Sequence, residues 1–366
     1  MRKKFRVWSL GFRVVAVAWV LAARAASGAE YSQPTPGDFV IKNFRFTTGE
    51  TLPEVKIHYV ALGKPARDPK GRVTNAVLIL HGTGGSHKQF LSANFAGELF
   101  GAGQLLDIAT HYIVLPDGIG HGGSTKPSDG LHARFPRYTY DDMVEAQHRL
   151  LTDGLRVHHL LLVLGTSMGG MHAWLWAERW PAFADGFVPL ASMPMAIAGR
   201  NRMWRKIVID AIRNDPEWMG GEYTKPPRGM FEVIHWLLIA SPGPLQLQKS
   251  LPTRDAADGY VEEQTRQRLA ATDANDLLYA VEASREYDPS PDLAKITAPV
   301  LAINFSDDFV NPPELGVFEK LVRRVPRGRA VLIQAGEDAR GHSTHTWPAT
   351  YRSHLAAFLA ETLPAR

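Results

Sequence analysis

No cysteine occurs in the 366 residues. That absence excludes disulfides and thiolate-held metals, and it fits either side of a membrane. Acids are absent from the first 29 positions, where Arg2, Lys3, Lys4, Arg6, Arg13 and Arg24 stand alone. The formal charge of +4 therefore belongs to this leader: without its six cations, 35 Lys and Arg face 37 Asp and Glu, a net of −2. The basic balance implies no nucleic-acid partner. Long apolar runs are missing too. Val14–Ala23, flanked by cations and followed by small residues up to Ala29, is shorter than the roughly twenty residues a bilayer span needs. Residues 1–29 read as a secretory signal peptide, with an uncleaved anchor as the rival, so the expected location is exported, periplasmic or secreted. No later stretch is long and apolar enough to span.

What is present is an ordinary globular composition, 45% hydrophobic, enough for one large core or two smaller ones. The most informative stretch starts with the short apolar run Leu160–Leu164 and passes through Gly165-Thr166-Ser167-Met168-Gly169. Apolar residues then recur at helical spacing up to Pro181. Strand, sharp turn and helix with G-x-S-x-G at the turn describe a nucleophile elbow, which exposes its serine on strained backbone. Ser167 is the candidate nucleophile, and the N-terminus of the following helix favours an oxyanion beside it. An idle serine in a glycine-rich turn is the bland alternative.

Upstream, Tyr31–Asp38 is proline-rich and polar and reads as an exposed linker. Val40–Phe46 and Val55–Leu62 alternate as an antiparallel hairpin at a sheet edge. Ala76–Leu80 is a buried-type strand that runs into His81-Gly82-Thr83-Gly84-Gly85, a loop suited to close backbone approach to a ligand. In an enzyme with a nucleophile elbow this loop supplies one oxyanion donor, here the Thr83 N–H, beside that of Met168. Asp117–Gly123 after the strand Tyr112–Pro116 formally matches G-x-G-x-x-G, yet Ser124–Gly130 cannot open the helix that a dinucleotide site needs. No cofactor is expected. A helix follows over Asp141–Leu151, capped by Asp141 or Thr139.

Phe187–Ala191 returns to the sheet. From 193 to 293 the pattern turns helical, around Ile207–Ile212, Phe231–Ile239 and Val261–Ala271, as expected of a lid inserted into a core formed by 30–192 and 294–366. Trp204, Met219, Trp236 and Leu237 are candidates for an acyl pocket or, more blandly, for the lid's own core. Strands at Pro299–Asn304 and Ala330–Gln334 and helices at Glu314–Val322 and Thr346–Leu363 complete an α/β pattern with a mostly parallel sheet.

Serine needs a base, and the base needs an acid to orient it. Asp308 and His342 each follow a late strand, giving the order Ser167, Asp308, His342. On these residues the chain resembles the α/β-hydrolase fold family. On Gly165–Met171, Arg134-Phe135-Pro136 and Asp141–Gln147 it resembles, more narrowly, the homoserine O-acetyltransferase-like branch. The resemblance spans nearly everything from Phe39 onward. It implies helices on both faces of the sheet and a catalytic acid four residues before a proline, which favours Asp308 (before Pro312) over Asp307. It also makes a homodimer through the lid plausible. His345 and His354 read as exposed helix residues, and His158-His159 lacks partnered ligands, so no metal site is expected. True transferases of the branch usually place an acid after the catalytic histidine, where this chain has Ser343. The expected activity is hydrolysis of a small-molecule carboxylic ester. Acyl transfer to homoserine and a non-catalytic binding protein are the alternatives.

Overall fold

The computed structural model describes residues 33–363, so the leader expected at 1–29 lies outside the described residues. β1 (Thr35–Arg45) and β2 (Thr51–Leu62) form the antiparallel edge hairpin. The linker reading fails from Thr35 onward: Pro36 pairs opposite Val60. An edge strand can carry a proline because its missing N–H faces no neighbour. β3 (Ala76–Leu80), α1 (Ala93–Leu99), β4 (Tyr112–Pro116), α2 (Tyr140–Arg149), β5 (Leu162–Thr166), α3 (Met168–Arg179) and β6 (Phe187–Leu190) follow. Next come five helices: α4 (Gly199–Arg213), α5 (Gly229–Ala240), α6 (Pro244–Ser250), α7 (Arg254–Ala271) and α8 (Ala274–Glu282). β7 (Val300–Phe305), α9 (Phe318–Val322), β8 (Gly328–Ile333) and α10 (Arg352–Thr362) end the described chain.

The eight strands lie in the order β1-β2-β4-β3-β5-β6-β7-β8. β2 pairs antiparallel with β4, and every later pairing is parallel. β3, β4, β5, β6 and β7 are buried along their whole lengths, the signature of parallel strands covered on both faces. Side-chain alternation divides β3 between two cores: Ala76, Leu78 and Leu80 join Met171, Trp174 and Val144 on one face, whereas Val77 and Ile79 join Phe95, Leu99, Leu355 and Phe358 on the other. Each fully buried Val, Leu, Ile, Phe or Met among them contributes roughly 1.5–3 kcal/mol relative to exposure.

Helix ends depart from the expected spans where local chemistry forbids continuation. Thr139 caps α2: its side chain accepts from the Asp142 N–H while Asp142 accepts from the Thr139 N–H. The last helix starts at Arg352 rather than Thr346, because Pro348 disfavours helical backbone at Trp347 and lacks an N–H of its own. Likewise α9 starts at Phe318, after Gly316 turns left-handed at φ 62°.

Candidate active site

The sharpest local feature is the turn between β5 and α3. Ser167 holds φ 54° and ψ −112°, strained for any residue with a Cβ. Two glycines make this possible. A Cβ on Gly165 would come within 1.9 Å of the Gly169 carbonyl oxygen, and one on Gly169 within 2.0 Å of the Leu80 carbonyl oxygen. The turn thereby sits against both its own helix and β3.

Ser167 Oγ lies 2.8 Å from His342 Nε2, and His342 Nδ1 lies 2.8 Å from Asp308 Oδ2. Three residues predicted from scattered loops thus form one hydrogen-bonded relay. Asp308 is fully buried, and its other oxygen accepts the Val310 and Asn311 N–H groups at 2.7 and 3.0 Å. Burial alone would raise its carboxyl, but attraction to His342 and the bonds from His342 and Asn311 outweigh burial and hold it below its usual value. Asp307, the rival acid, accepts the Gly341 N–H at 2.8 Å and so holds the backbone that carries His342. Ser343, after the histidine, donates its N–H to the Ser241 carbonyl at the end of α5.

Above Ser167 runs the loop 81–85. A Cβ on Gly82 would lie 3.4 Å from Ser167 Cβ. His81 shapes the loop: its Nδ1–H donates to the Gly82 carbonyl at 2.9 Å, and its Nε2 accepts the Gly118 N–H at 3.0 Å. Burial lowers the affinity of His81 for a second proton, which suits this neutral tautomer. Thr83 lines the cavity over Ser167, and Met168 opens α3. Among the described residues neither of their N–H groups meets an acceptor. Two unspent amides beside a serine–imidazole pair can hold the oxyanion of an acyl-transfer intermediate.

Sequence reasoning missed several members. Gln89 accepts the Gly82 N–H and donates to Thr166 Oγ1 at 2.8 Å, tying the loop to the elbow. Asn311 donates both to Asp308 and, at 2.8 Å, to the Ala191 carbonyl. His345 is buried rather than exposed; its ring meets His342 edge-on at 5.2 Å, and burial pushes its pKa down to about 3. His354 is exposed as expected. Only the sequence neighbourhood of Asp308 could have flagged Asn311, and nothing local marks Gln89.

The cavity measures about 350 Å³ and is walled by Trp204, Val208, Ile234, Leu237, Leu277 and Val310. Of the four expected acyl-pocket residues, Trp204 and Leu237 line it. Met219 is 64% exposed, and Trp236 packs edge-on against Phe309 instead. The chemistry of a metal fits poorly elsewhere. His58, His87 and Asp117 bring ligand atoms within 4.8 Å of one another, yet both Nδ1 atoms are engaged by Asp38 and Asp117, and Asp117 already accepts the His87 and Gly123 N–H groups. His159 is spent on an exposed pair with Asp185.

A family model described as alpha/beta hydrolase fold matches residues 75–339. A homoserine O-acetyltransferase of Thermobifida fusca is 29% identical over 351 residues, covering 86% of this chain and 88% of that protein. Among solved structures, a homoserine O-acetyltransferase from Bacillus anthracis superposes with a TM-score of 0.78 at 19% identity, covering 92% of this chain and 100% of that one. Esterase E22 superposes at 0.76 and 20% identity, covering 89% and 100%; at these identities the likeness is one of fold. The chain belongs to the α/β-hydrolase fold family and resembles its homoserine O-acetyltransferase-like branch.

Proposed function

We propose that the chain hydrolyses carboxylic esters through an acyl-enzyme on Ser167. The observation that carries this reading is the continuous relay from Ser167 Oγ through His342 to Asp308, beneath the two free N–H groups of Thr83 and Met168. Ser167 Oγ attacks the ester carbonyl carbon and its proton passes to His342 Nε2. The carbonyl oxygen becomes an oxyanion held by the two amides. Collapse breaks the acyl–alcohol bond, and the departing alkoxide takes the proton from His342. Water then attacks the acyl carbon, gives a proton to His342, and releases the acid as Ser167 recovers its hydrogen.

Acyl transfer to an alcohol differs only in the second nucleophile, and the homoserine O-acetyltransferase relatives favour it. Against it stands Ser343, bonded to Ser241, at the position after the histidine where transferases of the branch usually keep an acid. Export, the reading of residues 1–29, would also separate the enzyme from a cytoplasmic acetyl-CoA donor. We further read α4–α8 as a lid and expect a homodimer through its face, where Met203, Ile207 and Ile239 are exposed. Light scattering that gives a monomer mass at micromolar concentration would dismiss the dimer. The chemistry is tested by offering 4-nitrophenyl esters of varied chain length beside acetyl-CoA plus homoserine. Nitrophenolate release, abolished in Ser167→Ala, is expected. O-acetylhomoserine formed at the faster kcat/KM would overturn hydrolysis as the main reaction.

A further inference from the structure

The cavity over Ser167 is apolar on most of its wall, but its two charged lining residues are both arginines, Arg205 and Arg268, and no Asp or Glu lines it. Arg205, on α4, is only 2% exposed. Its Nε donates to Asn201 Oδ1 at 3.1 Å, and its guanidinium carbon lies 4.3 Å from the centroid of the Trp204 ring. Its Nη1 is buried and meets no acceptor among the described residues. The groups facing it offer no negative charge: the Tyr140 hydroxyl, its hydrogen-bonding neighbour, is held protonated by burial, and Arg202 adds a like charge. Arg268, half-buried on α7, is in no ion pair among the described residues; the neighbouring pair on that helix joins Arg266 to Glu263. A desolvated guanidinium with neither carboxylate nor full hydrogen bonding is unfavourable in the empty protein. It is suited to a ligand that brings the anion, because guanidinium and carboxylate match as a two-point fork.

We propose that this site selects esters that carry a carboxylate and no ammonium group, with Arg205 receiving the carboxylate and Arg268 approaching it from α7. The inference rests on the acyl-enzyme reading of Ser167 and adds the substrate class. The lack of a lining acid, together with Ser343 after His342, leaves nothing to hold an ammonium group. A zwitterionic amino acid is therefore disfavoured against a half-ester of a dicarboxylic acid or an acylated hydroxy acid.

Two matched pairs decide the matter and separate the acyl from the alcohol side. Mono-(4-nitrophenyl) glutarate is compared with its methyl ester, and 4-acetoxybutanoate with 4-acetoxybutanamide. In the preferred pair kcat/KM is expected to favour the carboxylate by about 10- to 100-fold, the scale of one charge-assisted interaction. Arg205→Ala should bring the ratio near one, Arg205→Lys should restore part of it, and Arg268→Ala, on a helix that buries little, should lower it less. Ratios near or below one in the wild type for both pairs would overturn the proposal, as would a ratio unmoved by Arg205→Lys and Arg268→Ala. Calorimetry with glutarate on Ser167→Ala reads the anion site without any catalysis. Binding weakened at least tenfold in Ser167→Ala/Arg205→Lys supports the proposal and no binding sinks it, even if every ester assay fails and the hydrolytic reading falls separately.

Discussion

The sheet and the five-helix insertion follow different rules. Strands β3 to β7 are buried along their whole lengths, and the relay residues stand in the loops that follow β5, β7 and β8. The insertion has its own small core, built from Trp204, Val208, Ile212, Met230, Val233 and Leu278. Its outer helices are thinly packed: α7 spans 18 residues and buries only Thr265, and α6 buries none. Rigid strand ends fix the reacting atoms, whereas thinly packed outer helices can change the residues they present without disturbing them. One place where the two meet is the corner between α5 and α6, where Ser241 accepts from Ser343 and a Cβ on Gly243 would lie 2.6 Å from the Gly341 nitrogen. The loop that carries His342 is therefore held from both sides.

This contrast can be broken most severely on the sheet side. Asp308→Asn keeps the shape but removes the charge that stabilises a protonated His342, so kcat should fall by roughly 10³- to 10⁴-fold with KM little changed. A loss under tenfold would mean that another acid serves. A glycine pair compares the packing of the two regions. Gly169→Ala drives a methyl to within 2.0 Å of the Leu80 carbonyl and should destabilise by about 3 kcal/mol or more in urea denaturation. Gly259→Ala, in α7 with nothing within 4 Å, should instead stabilise by about 0.5–1 kcal/mol. Equal effects would erase the distinction.

A smaller effect concerns a seam between the regions. Asp276, on α8, accepts the Ser128 N–H and hydroxyl at 2.9 and 2.7 Å, and burial chiefly pushes its carboxyl up to about 6. The folded state thus binds this proton more tightly than the unfolded chain. Its stabilising contribution is complete below about 4 and is lost as pH rises through about 6. Asp276→Asn should gain stability relative to wild type between pH 4 and pH 7, by about 2 kcal/mol. A difference that does not vary with pH would remove the carboxyl from this role.

Much of the sheet and all three relay residues were legible because the signals are local. Short apolar runs ending in glycine-rich turns mark parallel strands, and G-x-S-x-G carries its own steric reason. Choosing Asp308 over Asp307 rested on the family resemblance, which implies an acid four residues before a proline. What the sequence hid depends on distant partners. Gln89 bridges Gly82 and Thr166 across two strand ends, and Arg205 looks like one more surface cation of an amphipathic helix until burial shows otherwise. His345 was misjudged because Pro348 replaces the expected helix by two short turns that fold the ring inward. The helices α1, α6 and α8 carry too few residues to announce themselves by periodicity.

The central claim is that Ser167 is made nucleophilic by His342 and Asp308. Intact-mass and peptide mass spectrometry after exposure to a fluorophosphonate tests it directly. One adduct is predicted, on Ser167, absent in Ser167→Ala and slowed at least a hundredfold in His342→Ala. An unlabelled protein, or a label on another residue, would contradict it.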